Sequence, residues 1–183
     1  NTPAIQTYQE IGGDPVQAFA EKSGLKLEDD ESISPAYAIG GMKHGFNTTQ
    51  MAGAYATLGN GGDYIKPHLI KSIEYSDGSK IKSPVKSKKA MEDYTAYMLT
   101  DMLRDVLKPG GTFPSAGLSF DAAGKTGTTN AYKDVWFAGY TSDVSISVWT
   151  GTTKSGNNNG AGLSGPYNST MAQQIWKDFI TKT

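Results

Sequence analysis

The sequence predicts an α+β fold in which an antiparallel sheet is backed by helices. Three observations carry that prediction. Capped helical stripes fill most of residues 1–120, interrupted by a polar hairpin. Three runs rich in β-branched and aromatic residues follow, joined by short polar links that suit a meander. An amphipathic stretch then closes the chain, placed to cover one face of the sheet. With 183 residues the chain can build one domain with a real core, 1–120 mainly helical with a hairpin and 121–183 sheet strands plus a C-terminal helix. No internal repeat is visible.

The elements follow in order. In "GGDPVQAFAEKSGL", Asp14 can cap a helix, Pro15 suits its first turn and Gly24 its end. "ESISPAYAIGGMKHG" reads as irregular. In "FNTTQMAGAYATLGNGG", Asn47 and Gln50 have capping-box spacing, and Met51, Ala54, Tyr55 and Leu58 form a stripe that Gly59 to Gly62 end. "YIKPHLIKSIEYSDGSKIKS" reads as a hairpin with Asp77-Gly78 at the turn, and Pro67 argues for an edge position. The long helix of "EDYTAYMLTDMLRDVLKPGG" carries Tyr94, Met98, Leu99, Met102, Leu103 and Val106 at helical spacing, its methionines and tyrosines read as core filler. Strands are expected over about 121–128, 135–141 and 144–151. The Gly- and Asn-rich "TTKSGNNNGAGLSGPYN" reads as an exposed loop. The last helix, capped by Asn168 or Ser169, lines one face with Met171, Ala172, Ile175, Trp176, Phe179 and Ile180.

Composition narrows the function. Net charge is −1, so no broad basic surface calls for nucleic acid. Cysteine is absent, which excludes disulfides and thiol catalysis and suits an extracytoplasmic setting. With His44 and His68 as the only histidines, a zinc site is not expected, nor is any other metal or cofactor. A Ser/His/Asp triad has no support. Lys86, Lys88 and Lys89 read as a solvated charge run, and Trp136 and Trp149 as core. No apolar run reaches the length of a membrane span, and no signal peptide is present. The start, "NTPAIQTYQEIGG", looks internal to a longer protein.

One stretch concentrates chemistry. "AAGKTGTTN", Ala122 to Asn130, places Lys125 among glycines and hydroxyls, a composition that handles an anion. The phosphate loop G-x-x-x-x-G-K-[ST] is excluded on two counts. Ser119 stands where its first glycine belongs, and a strand-like run follows where a helix is required. Thr126 and Thr128, at period two, should share a strand face, while Gly124 and Gly127 admit close approach to the backbone. Alone, Lys-Thr-Gly reads better as a plain edge strand with a bulge.

In its surroundings the motif resembles the K-T-G of the penicillin-binding proteins and serine β-lactamases. "DVWFAGYTSDVSISVWTG" resembles the paired strands that follow it there, "PGGTFPSAG" the segment just ahead, and "NTTQMAGAYATLGNGGDYIKPHLIKSIEYSDGSKI" the preceding helix and hairpin. Over essentially its whole length the chain looks like the C-terminal half of the transpeptidase domain of a class A, bifunctional penicillin-binding protein of Gram-positive type. "NTPA" fits the end of the family's S-x-N triplet if Asn1 is its last residue. S-x-x-K spellings at Ser79–Lys82 and Ser83–Lys86 fall in the polar hairpin and read as solvated, so the nucleophile motif is expected outside this chain.

The resemblance implies a partial penicillin-binding protein/β-lactamase-like fold and serine acyl transfer on the D-Ala-D-Ala end of peptidoglycan stem peptides, which β-lactam antibiotics mimic. It implies that Lys125 and Asn1 serve catalysis, that Thr126, Gly127, Thr128 and Thr129 line the substrate or β-lactam site, and that the Thr128 N–H is an oxyanion donor. It implies as partners stem peptides, β-lactams and the missing N-terminal part, and as location the extracytoplasmic face of the bacterial membrane, with the anchor and a glycosyltransferase domain upstream. A D,D-carboxypeptidase, a β-lactamase and a non-catalytic β-lactam sensor are alternatives on the same fold.

Overall fold

The computed structural model describes residues 1–27, 33–42, 44–114, 117–152, 162–165 and 168–182. Helices α1 (Thr2–Ile11), α2 (Gly13–Lys22) and α3 (Thr48–Gly59) come first, with a 3₁₀ turn at Pro35–Ile39. Four short strands follow: β1 (Asp63–Ile65), β2 (Ser72–Glu74), β3 (Lys80–Lys82) and β4 (Ser87–Lys89). Then come α4 (Asp93–Arg104), a 3₁₀ turn at Asp105–Leu107, β5 (Ala123–Thr128), a 3₁₀ turn at Asn130–Tyr132, β6 (Asp134–Tyr140), β7 (Ser145–Gly151) and α5 (Met171–Ile180).

The sequence-level punctuation works where side chains close it. Asn47 Oδ1 accepts from the Gln50 N–H at 2.8 Å, and Gln50 Oε1 accepts from the Asn47 N–H at 3.0 Å, so α3 begins with a complete capping box. The β2–β3 hairpin turns at Asp77-Gly78. Gly78 takes φ 82°, and Asp77 Oδ1 accepts from the Ser79 N–H at 2.8 Å. The Ser79 hydroxyl, and after it the Ser79 N–H, lower the Asp77 carboxyl pKa from its ordinary value. Other starts shift. Asp14 lies in the first turn of α2, whose N-cap is Gly12, and favours the positive helix end without capping it. The N-cap of α5 is Thr170, and Asn168 Oδ1 accepts from the adjacent Ser169 N–H.

The main sheet is the antiparallel meander β5-β6-β7. Its central strand is covered on both faces. Val135 and Phe137 point to α5, where Phe137 and Trp176 meet edge to face at 4.9 Å and each is 0% exposed. Phe113 adds a second edge contact to Phe137 at 5.3 Å. Ala138 and Tyr140 point the other way, toward α3 and α4. There the Tyr140 hydroxyl meets Thr100 Oγ1 at 2.7 Å, and its ring meets Tyr55 edge-on at 6.3 Å. Burial, with Tyr140 beside it, pushes the Tyr55 phenol up to about 12, so it stays protonated.

The α4 stripe differs from its sequence reading. Tyr94, Met98 and Met102 are largely exposed, and the helix packs instead through Ala96 and the half-buried Leu99, Thr100 and Leu103. The hydrogen bond between Thr100 and Tyr140 requires close approach, and a small Ala96 permits it where a methionine would not. Trp136 and Trp149 likewise lie outside the core. They form a cross-strand pair on the α3/α4 side of the sheet, and Trp149 is 38% exposed. The core tryptophan is Trp176. Residues 153–161 and 166–167 of the Gly/Asn-rich loop lie outside the described residues.

Two variants test this ranking by urea denaturation. Trp176→Ala should lower unfolding free energy by about 3–5 kcal/mol through cavity formation. Asn47→Ala should cost about 1 kcal/mol by opening the capping box.

Candidate active site on the β5 edge

The register decides what β5 offers. Ala123, Lys125 and Gly127 sit opposite Tyr140, Ala138 and Trp136, and Gly124, Thr126 and Thr128 opposite Gly139, Phe137 and Val135. Directly opposed residues share a face. Lys125 therefore lies on the α3/α4 side with Trp136, and Thr126 and Thr128 lie together on the α5 side, as their spacing predicts. The Thr129 N–H donates to the Asp134 carbonyl at 3.0 Å, which makes 129/134 a hydrogen-bonded pair. By antiparallel alternation 127/136 and 125/138 are also bonded pairs. The N–H and C=O of Thr126 and Thr128 then point away from β6, to the free edge. Among the described residues neither of these two N–H groups meets a carbonyl outside the sheet.

The Lys125 side chain turns to this same edge. Its ammonium donates to the Thr126 carbonyl at 3.0 Å, and among the described residues no carboxylate pairs with it. Lys125 is exposed as a residue, yet surrounding protein desolvates its ammonium enough to lower its pKa below the ordinary lysine value. A partly desolvated cation without a carboxylate partner among the described residues, beside free backbone N–H groups and hydroxyls, has the chemistry to attract an anion. The Thr126 hydroxyl also meets the Thr112 hydroxyl at 2.9 Å.

The remaining predicted residues separate. Thr128 is exposed at the end of the strand. Gly127 lies against Trp136, and a Cβ there would come 3.2 Å from the Trp136 Cβ. Thr129 is engaged elsewhere: its Oγ1 accepts from the Asp134 N–H at 2.8 Å and donates to the Asp134 carboxylate at 3.2 Å, closing the β5–β6 link. Asp134 also accepts from the Trp149 indole at 3.0 Å. Asn1 precedes α1 and is exposed, and its side chain makes no cap bond. Helix α1 packs chiefly on the Pro35–Ile39 turn and α2.

Ser79 and Ser83 flank the exposed strand β3, as their composition predicts. A third S-x-x-K spelling, Ser23-Gly24-Leu25-Lys26, escaped the sequence reading. It ends α2 with Ser23 only 4% exposed, so its hydroxyl cannot meet a bulky acyl donor. Sequence reasoning also missed Thr112 and Asp134, whose roles come from spatial neighbours. A groove of about 640 Å³ between α3, the segment around Pro67 and the start of β7 contains no β5 residue, and β7 is the opposite edge of the sheet. The cation without a carboxylate partner and the free N–H groups among the described residues are on β5 instead.

Residues 6–181 match the family model described as the penicillin-binding protein transpeptidase domain. The chain belongs to that family. Penicillin-binding protein 1A/1B of Bacillus subtilis (strain 168) is 42% identical over 167 residues, 82% of this chain and 18% of the relative. Penicillin-binding protein 1F of the same organism is 35% identical across 100% of this chain and 25% of its own length. The chain thus spans about a fifth to a quarter of these relatives. Among solved structures, penicillin-binding protein 1A from Haemophilus influenzae superposes with a TM-score of 0.83 at 22% identity, over 99% of this chain and 32% of that one. The PonA1 protein from Mycobacterium tuberculosis, solved in complex with penicillin V, gives a TM-score of 0.77 at 23% identity, over 96% and 51%. The penicillin-binding protein fold anticipated from the K-T-G surroundings is therefore the fold of this chain. Among the described residues no helix is long and apolar enough to cross a membrane.

The two motif glycines should tolerate a methyl group differently in thermal melts. At Gly124 a Cβ would lie 2.7 Å from the Phe137 ring and 2.9 Å from the Ala138 carbonyl, so Gly124→Ala should cost about 1–3 kcal/mol. Gly127→Ala, with its nearest contact at 3.2 Å, should cost clearly less.

Proposed function

We propose that this chain supplies the anion-holding wall of a serine D,D-transpeptidase of peptidoglycan synthesis, acting with a serine-bearing part that lies outside it. One observation carries the reading: the Lys125 ammonium, paired with no carboxylate among the described residues, lies at the free edge of β5, on the Thr126 carbonyl, beside the Thr126 and Thr128 N–H groups. Family membership supports it.

In the proposed reaction a serine hydroxyl attacks the carbonyl of the penultimate D-alanine of a stem peptide. Its proton passes to a base, the C–N bond breaks, and protonated D-alanine leaves. An amine of a neighbouring stem then attacks the ester and restores the serine. Lys125, with the Thr126 and Thr128 hydroxyls, holds the terminal carboxylate. The Thr128 N–H stabilises the oxyanion, a donor whose loss costs about 3–4 kcal/mol where measured in other enzymes. Asn1, as the last residue of an S-x-N triplet, binds the stem amide. Gly127 keeps the wall open beside the Thr126 and Thr128 backbone, and Thr129 holds the end of that wall by closing the link to Asp134. A β-lactam enters as a carboxylate-bearing mimic and stays as the acyl-enzyme. The setting is the extracytoplasmic face of the membrane, with an anchor and a glycosyltransferase domain elsewhere in the protein.

Intact mass spectrometry before and after penicillin tests the reading. The full-length protein should gain the drug's mass, on a serine outside this chain, while the isolated chain gains nothing. An adduct on this chain would overturn the assignment, because the nucleophile would then be one of its own serines. In the full-length protein Lys125→Ala should slow acylation at least about 100-fold.

The pH dependence follows from the direction of the Lys125 shift. Desolvation lowers its pKa, so the cation that holds the carboxylate is lost, as pH rises, earlier than for an ordinary lysine. Acylation should fall along that alkaline limb, and Lys125→Arg should move the limb upward, as stopped-flow acylation rates against pH would record.

A further inference from the structure

We infer that Thr112 is a positioning residue that turns the Thr126 hydroxyl into a directed donor toward the substrate's carboxylate. The inference rests on the proposed transpeptidase reading of the β5 edge and names a residue that the K-T-G motif does not contain.

The first observation is how firmly Thr112 is held. Gly110 takes φ 89°, a left-handed conformation that side chains disfavour. At Gly111 a Cβ would lie 2.2 Å from the Asp105 carbonyl oxygen and 2.4 Å from that of Val106, so the chain here fits only glycine. The Gly111 N–H donates to the Lys108 carbonyl at 2.9 Å and the Phe113 N–H to the Val106 carbonyl at 2.9 Å. Phe113, 2% exposed, is locked edge-on against Phe137. Thr112 thus stands between a glycine turn and a core aromatic. Its backbone is fixed by packing while its own side chain stays at the surface.

The second observation is where the hydroxyl goes. It meets Thr126 Oγ1 at 2.9 Å, across a sequence separation of 14. Thr112 is exposed and Thr126 only half-buried, so this bond is not needed to satisfy a fully buried group.

The third step is a count of protons. Each hydroxyl has one hydrogen and two acceptor lone pairs. A carboxylate only accepts. If Thr126 is to donate to it, the Thr112–Thr126 bond must run from Thr112 to Thr126. Thr112 then fills one lone pair of Thr126, fixes its rotor, and polarises its O–H outward. Before the anion arrives, Lys125 also donates to the Thr126 carbonyl from the edge. Nothing in this arrangement touches the reacting carbonyl. Thr112 should govern ligand binding rather than the acylation step.

The test uses the full-length protein and penicillin G, with acylation followed by stopped flow and resolved into an apparent binding constant and a limiting rate. Thr112→Val should weaken the binding constant about 3- to 10-fold, leave the limiting rate within about twofold, and leave the melting temperature unchanged. Thr112→Ser should restore binding. In a Thr126→Val background Thr112→Val should add no further loss. Penicillin G methyl ester, which lacks the anion, should react equally with wild type and Thr112→Val. Equal losses with acid and ester, or additive losses with Thr126→Val, would overturn the inference and leave Thr112 a loop tie. Unchanged binding in Thr112→Val, with Lys125→Ala still impaired, would overturn it while the transpeptidase reading stands. Absence of any acylation in the wild type would overturn both.

Discussion

Phe137 and Trp176 meet at the centre of the molecule, and the rest of the structure depends on that contact. It fixes one face of β6 against α5. Because side chains alternate, it also commits Ala138 and Tyr140 to the opposite face, where α3 and α4 must cover them. A strand buried on both sides cannot slip by one residue without sending every one of these side chains to the wrong layer. Its register with β5 is therefore fixed as well, and with it the direction in which each group of the K-T-G segment points.

That register separates two kinds of chemistry along six residues. The lysine stem leaves one face, the threonine hydroxyls leave the other, and both reach the edge, which presents alternate backbone amides. The ammonium bridges the two by curling onto the Thr126 carbonyl. A carboxylate would bind the ammonium more strongly than this neutral carbonyl does, because it adds a full opposite charge. Partial desolvation sharpens the difference, because it weakens the hydration that a ligand must displace. An anion arriving at the edge would replace a weak partner with a strong one, without first breaking an ion pair.

The glycines and the flanking loop serve the same edge from behind. Gly124 lets the Phe137 ring approach β5 closely, so the strand that carries the site rests directly on the core. The turn at Gly110 and Gly111 brings the chain from α4 to Phe113, so one buried aromatic anchors both the loop and the sheet. Rigidity reaches the exposed groups through these contacts, with the Thr112–Thr126 bond adding to it at one hydroxyl.

Much of this was legible in the residues. The capping box at Asn47, the Asp77-Gly78 turn, the three-stranded meander and the shared face of Thr126 and Thr128 all follow from local rules, because each depends on residues within a few positions or on strict alternation. The K-T-G surroundings gave the family, which the match over residues 6–181 bears out. Other matters turn on residues far apart in sequence. The sequence could not say that Tyr94, Met98 and Met102 face outward, because an apolar stripe shows its periodicity but not which side a neighbour such as Tyr140 will occupy. It placed Trp136 and Trp149 in the core on hydrophobicity alone, whereas the sheet turns them to a half-open face. It grouped Thr129 with the site, but Asp134 claims that hydroxyl across the turn. The pairing of Thr112 with Thr126 and the loneliness of the Lys125 cation also required the fold. Local chemistry determined which groups this protein has, and long-range packing decided which of them are left unpartnered.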